Sequence, residues 1–224
     1  PLEDSQGDFW VLSDRHVSQF DRKRGVVMAA HATVNYPITV IEDHTNPQLF
    51  WIASWGDGLG RFDKSTKRTT VFAHDPADSQ SIAGNSLVHL YQAPDGMIWI
   101  PTMGGGLDRF DPRSEQVVEN FRNRPGDETS LSSNTTSHVF VDSQGRWWVS
   151  TYGGGLNQFF PETGTFRHHN TATGFPTDSV TNILEDDQGR LWIGSKVGYI
   201  RFNPQTQQTR VYTVNDGLAG NEFQ

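Results

Sequence analysis

The chain has 224 residues, a formal net charge of −8, a mean hydropathy of −0.58 and no cysteine. Lack of cysteine excludes disulfides, thiolate catalysis and cysteine metal sites. The scattered acidic excess argues against broad binding to nucleic-acid phosphates or anionic lipid, and no apolar run approaches the roughly 18 residues of a membrane span. No basic-then-apolar leader stands at the start, and the opening Pro1 reads as a mature, trimmed or excised piece.

Tryptophans mark an internal repeat. Trp10, Trp51, Trp99, Trp148 and Trp192 follow one another at 41, 48, 49 and 44 residues, the period of a propeller blade. Repeats are expected over residues 1–35, 36–84, 85–134, 135–178 and 179–224. In the first, Gln6–Val11 carries the Trp strand and His16–Asp21 the next strand. The second has Leu49–Ile52, Gly58–Asp63 and Thr70–Phe72, and the third Val88–Gln92, Asp95–Ile100, Gly106–Asp111 and Val117–Phe121. The fourth has Val139–Val141, Gln144–Val149, Gly155–Phe159 and Thr165–His168, and the fifth Val180–Leu184, Gln188–Ile193, Gly198–Asn203 and Thr209–Val214. Each copy therefore predicts four short strands, with Gly and Pro at the turns and no long 3.6-residue period. The expected fold is an all-β propeller of four-stranded antiparallel blades, with the five Trp side chains between blades as core.

The chain ends carry a further expectation. Ala219–Gln224 matches Ala83–Val88, which leads into a first strand, and Pro1–Asp4 matches Ile183–Asp186, which ends one. Together they would complete nearly one strand. Either five blades close into a ring through the termini, or they are part of a larger propeller.

These motifs resemble the two-component-regulator propeller repeat: Asp186 to Asn203 is the fullest copy, and Asp216-Gly217-Leu218-Ala219-Gly220-Asn221 is the linker. The resemblance implies a periplasmic sensor region of a membrane-anchored histidine kinase or diguanylate cyclase. It further implies an oligosaccharide or other small ligand, and self-association or dimerisation through the full-length receptor is expected. Direct membrane contact by this segment is not expected.

The runs Gly104-Gly105-Gly106 and Gly153-Gly154-Gly155 join strands and lack a following Lys-Ser/Thr, so they read as turns rather than nucleotide loops. The Asp-x-x-Gly turns lack the acidic ladder of a calcium site and read as side-chain-capped turns. His16, His31, His44, His74, His168 and His169 show no metal-ligand spacing. No catalytic constellation, metal site or cofactor is expected. A lyase-like propeller enzyme and a protein-interaction scaffold remain as alternatives to a binding module.

Two sets of positions are the candidates for binding. Thr39, His89, His138 and Asn182 share one slot on the first strands and are expected to line a channel. Trp55, Met103, Tyr152 and Lys196 precede the Gly-rich turns and differ between copies, with Arg61 and Arg109 just downstream. Aromatic faces with cationic side chains suit stacking on a sugar ring, so this end of the blades is the expected ligand face.

Overall fold

Alternation of apolar and polar residues, cut every few positions by Gly, Asp or Pro, produces strands of two to seven residues in a computed structural model that describes residues 1–222. The first sheet contains β1 (Leu2–Glu3), β2 (Phe9–Ser13), β3 (His16–Asp21) and β4 (Val26–Ala32). The second contains β5 (Pro37–Glu42), β6 (Leu49–Ser54), β7 (Leu59–Asp63) and β8 (Arg68–Phe72), and the third β9 (Tyr91–Gln92), β10 (Ile98–Thr102), β11 (Gly106–Asp111) and β12 (Gln116–Phe121). The fourth contains β13 (Thr136–Val141), β14 (Trp147–Thr151), β15 (Gly155–Phe160) and β16 (Thr165–His169), and the fifth β17 (Val180–Glu185), β18 (Leu191–Ser195), β19 (Gly198–Phe202) and β20 (Thr209–Tyr212). All five sheets are four-stranded meanders in sequence order, and the fold is that of propeller blades. Contacts gather into two units, Pro1–Met103 with Leu107–Asn120, and Gly104–Gly106 with the residues from Phe121 onward.

The Asp-x-x-Gly turns are capped as expected. Asp142 Oδ1 accepts the Gln144 and Arg146 backbone N–H groups, and its Oδ2 accepts the Trp148 indole N–H at 2.9 Å. Asp4–Trp10, Asp43–Trp51 and Asp186–Trp192 repeat the carboxylate–indole bond at 3.0, 2.8 and 2.8 Å. These carboxylates are committed to N–H donors, which accounts for the motif without calcium. Ala93 takes the Asp slot in the third blade and has no carboxylate to offer.

In the first, second and fourth blades the indole, fixed by its own Asp, enters the next blade. Trp10 packs edge-on against Phe50 at 5.1 Å and near Phe62 at 6.2 Å. Trp51 meets Phe110 at 5.5 Å, and Trp148 meets Phe202 at 5.8 Å. Trp10, Trp51, Trp99 and Trp148 are buried, as the period predicts. Trp192 departs from that expectation: it is only half-buried and lies against Tyr212 of its own blade.

Two strand expectations change. The third blade's first strand shrinks to Tyr91–Gln92 plus a bridge from Leu87 to Thr102, because Pro101 on the facing strand has no N–H for the ladder. The last strand stops at Tyr212, where Thr213 caps a 3-10 turn over Val214–Asp216. At the N-terminus, Leu2–Glu3 pairs with β2; Phe223 and Gln224, part of the expected terminal strand, lie outside the described residues.

In the second to fifth blades glycine is obligatory where the third strand begins, at Gly58, Gly106, Gly155 and Gly198. Gly155 has φ +78°, and a Cβ there would run into the His169 carbonyl oxygen. Gly153 has a similar φ of +82° with open space around it. Gly155→Ala is expected to cost about 3 kcal/mol, against about 1–2 kcal/mol for Gly153→Ala, where left-handed strain acts alone. Urea unfolding midpoints of the two variants measure the difference.

Candidate functional site

The antiparallel order puts two kinds of connection at opposite ends of each blade. The Gly-rich turns between second and third strands share one end with the linkers that lead to the next blade. The Asp-x-x-Gly turns and the third-to-fourth hairpins share the other.

At the first end the backbone is tightly fixed. Gly56 and Gly58 N–H groups both donate to the Asn85 carbonyl, each at 2.9 Å, and the Asn85 side chain accepts from His74 N–H at 2.6 Å. Gly104 and Gly106 do the same to Asn134 at 3.1 and 2.8 Å, and Gly155 donates to Asp178 at 2.8 Å. Hydroxyl groups close the turns from inside: Thr151 and Ser195 donate to Gly155 and Gly198 carbonyls at 2.8 and 2.7 Å. Each of these turns is thus a hydrogen-bonded rim on which the residue before the glycines is free to vary.

Trp55 stands on that rim with 48% of its surface exposed. It bridges Ser86, and Met103 N–H donates to the same residue's carbonyl at 3.0 Å. Trp55 and Met103 are therefore brought together over one linker. Met103 and Tyr152 are half-buried, while Lys196 is exposed. Tyr152 belongs to the second unit, where it bridges Ser179 and donates its N–H to Thr135 at 2.9 Å.

Arg61 and Arg109 do not join this set. Arg61 is ion-paired with Glu115, in a third-to-fourth hairpin, and lies 5.7 Å from the Phe72 ring centre. Arg109 is held between Asp95 at 3.1 Å and Glu119 at 3.0 Å, with the Trp99 ring centre 5.8 Å away. Burial would push the Arg109 guanidinium down, but its two carboxylate partners raise it. Both arginines point to the acidic end of the blade and their charge is already matched, so they are withdrawn from the candidate ligand face.

Sequence reasoning missed Tyr36, which is 63% exposed. Its carbonyl accepts the Trp55 N–H at 3.1 Å, so two exposed aromatic residues leave adjoining, hydrogen-bonded backbone. Tyr36 also has φ +47°, a left-handed conformation that a bulky residue keeps only where its surroundings impose it. A signal was present: Tyr36 fills the linker slot that holds Ser86, Thr135 and Ser179 in the later blades. Asp57, on the same turn, accepts both Asn35 donors at 2.8 and 2.6 Å and fixes the approach to Tyr36.

The other candidate slot falls beside a bulge in three first strands, where register shifts between Pro37 and Thr39, Thr136 and His138, and Val180 and Ile183. Thr39 spends its hydroxyl on the Val88 carbonyl at 2.9 Å, and Asn182 accepts from Thr181 at 3.1 Å. His138 lies parallel to Phe140, and burial pushes its imidazole down to about 4. His89 lies outside any regular strand. Within the first unit Thr39 and His89, and within the second His138 and Asn182, are half-buried polar groups of the blade.

Known proteins carry the same architecture. The family model described as "Two component regulator propeller" matches residues 130–153 and 174–196. Histidine kinase P4 of Formosa agariphila is 27% identical over 182 residues, 80% of this chain and 13% of that protein. The extracellular domain of BT3049 from B. thetaiotaomicron, assigned as a hybrid two component system, superposes with a TM-score of 0.76 at 22% identity, covering 93% of this chain and 29% of that one. PorZ, a surface component of the type-IX secretion system of Porphyromonas gingivalis, gives 0.68 at 17% identity, covering 96% and 34%. This chain thus spans about an eighth of the curated relative's length. Among the described residues no helix is long and apolar enough to cross a membrane.

Proposed function

We propose that this chain, which carries two component regulator propeller repeats, is part of the periplasmic ligand-sensing region of a bacterial membrane-anchored histidine-kinase receptor. It binds a small ligand, an oligosaccharide foremost, at the Gly-turn end of its blades and does not transform it. The observation that carries this reading is the pair Trp55 and Tyr36. Both are large, exposed and mounted on hydrogen-bonded backbone, whereas an isolated domain gains by burying such rings. Stacking on flat sugar faces uses that geometry, and Met103 extends the apolar floor. The histidine-kinase likeness supports the signalling part of the reading.

Thermal denaturation against a panel of mono- and oligosaccharides, peptides and divalent ions tests it. A ligand at 100 times its Kd stabilises the fold by about 2.7 kcal/mol. One sugar class is expected to raise Tm, and Trp55→Ala and Tyr36→Ala are each expected to abolish the rise. A rise that survives both substitutions, or no rise with any sugar, overturns the assignment of this face.

A further inference from the structure

The fourth blade breaks a rule that the other four keep. After the Phe of the third strand, Asp21, Asp63, Asp111 and Asn203 each accept a hairpin N–H group on the side chain. Asp63 does so from Ser65 at 2.7 Å and Asn203 from Gln205 at 2.9 Å. The fourth blade has Phe160 in that slot, which gives the hairpin only its carbonyl, to Thr163 and Gly164 N–H at 3.2 and 2.9 Å. Local rules are broken chiefly where function asks for it. The Phe160 ring is half-buried, with the Arg167 guanidinium 5.6 Å from its centre.

Phe160 and Arg167 line an open cleft of about 650 Å³ along the outer edge of β16, together with Glu128, Phe166, His168 and Asn170. That volume falls among small-ligand sites, roughly 300–1,000 Å³. Arg210, the counterpart of Arg167 in the fifth blade's ladder, is paired with Asp216 at 3.1 Å. Among the described residues neither Arg167 nor Glu128, both exposed, has an ion-pair partner.

The strand edge points to the kind of ligand. Phe166 N–H donates to the Thr129 carbonyl at 2.8 Å and Asn170 N–H to the Thr173 hydroxyl at 2.9 Å, so two linkers close the edge at its ends. Between them the Phe166 carbonyl and the His168 N–H have no protein partner among the described residues. One residue of a parallel strand, lying opposite Arg167, would engage both, donating to the first and accepting from the second. Such a strand starts at the Phe166 end, beside Thr129 and Glu128, and runs towards Asn170. Its central side chain falls on the face of β16 that carries Arg167 and of β15 that carries Phe160.

We infer that this edge of the fourth blade binds a short peptide with free termini by strand addition. The central side chain lies on Phe160, the ammonium meets Glu128 and the carboxylate meets Arg167. A neutral sugar would leave both charges unmatched, and the cleft shares no residue with the Gly-turn end.

The probe is the tripeptide Ala-Phe-Ala with free termini, titrated into isotope-labelled protein with the His168 amide signal as local readout. That signal is expected to shift and saturate. N-acetylated and C-amidated forms, and Arg167→Gln and Glu128→Gln with the free peptide, are each expected to bind at least about tenfold more weakly. Phe160→Asn gives the fourth blade the hairpin cap of the fifth; Tm should show the fold intact, and peptide binding should fall by a similar factor. A His168 signal that stays still at about 10 mM peptide, blocked peptides that bind like the free one, or Arg167→Gln or Phe160→Asn binding like wild type overturns the inference. An equal response to neutral sugars does so as well.

Discussion

Lys64→Ala is expected to lower unfolding free energy by about 3 kcal/mol, the low end of the range for removing one partner from a buried ion pair. Lys64 is 7% exposed and Asp4 5%. The ammonium sits 2.8 Å from Asp4 and 3.0 Å from Glu42, so it fastens the first blade to the second. Burial would lower its affinity for protons, but the two carboxylates outweigh that and raise it. Burial by itself would raise the Asp4 carboxyl, but hydrogen bonds from Lys64, Asp8 N–H and Trp10 hold it below its ordinary value. Asp4 keeps its indole and backbone donors after the substitution, which is why the loss stays at the low end. Because its folded value is depressed, Asp4 contributes stability above the ordinary carboxylate range, and that contribution fades as pH falls through the lowered value. Urea unfolding followed by tryptophan fluorescence should find Lys64→Ala closer to wild type in strong acid than at neutral pH. Lys64→Met, which keeps the aliphatic stem over Phe50, separates charge from packing; equal losses in both variants assign the effect to charge.

Turn chemistry made the blades legible in the sequence, since a Gly with positive φ recurs in every copy and a capping Asp in all but the third, where Ala93 replaces it. The repeating Glu-Asp pairs read as turn structure, and the structure divides their work: the Asp caps its own turn, whereas Glu42 and Glu185 reach the turn of the blade before. Contacts across repeats were harder to see. Lys64 has no counterpart of its own type, and its partner Asp4 is 60 residues away. Arg61 and Arg109 stood near the Gly turns in sequence, but their long side chains reach carboxylates that are distant in the chain or on a neighbouring turn and strand, Glu115 for Arg61 and Asp95 and Glu119 for Arg109. Tyr36 was overlooked because the comparison followed the residues before the glycines and not the linker slot. Trp55 was picked out by its place outside the core register, and its exposure agrees.

Acid is expected to weaken the protein steeply between pH 6.5 and about 4, because two imidazoles in the second unit are kept neutral. His169 is 8% exposed, with Phe202, Trp148 and Phe175 ring centres at 5.1, 5.9 and 6.4 Å. Burial, helped by the charge of Arg167 and by His168, pushes it down from 6.5 to about 4. His138 is pushed down to about 4 by burial. Between those values the unfolded chain binds protons that the folded chain refuses, so stability falls as pH falls. A displacement from 6.5 to about 4 at His169 corresponds to about 3 kcal/mol, present in full above pH 6.5 and gone near pH 4, with His138 adding in the same direction. The carboxylates with depressed values act mainly below this window, so they do not supply the slope. His169→Phe keeps a ring in the aromatic cluster and removes the proton site. Its urea-derived stability should vary less with pH across the window than wild type, whatever its level at neutral pH. Parallel pH profiles for the two proteins would show that His169 stays protonatable in the folded chain and that its burial is not the source of the acid sensitivity.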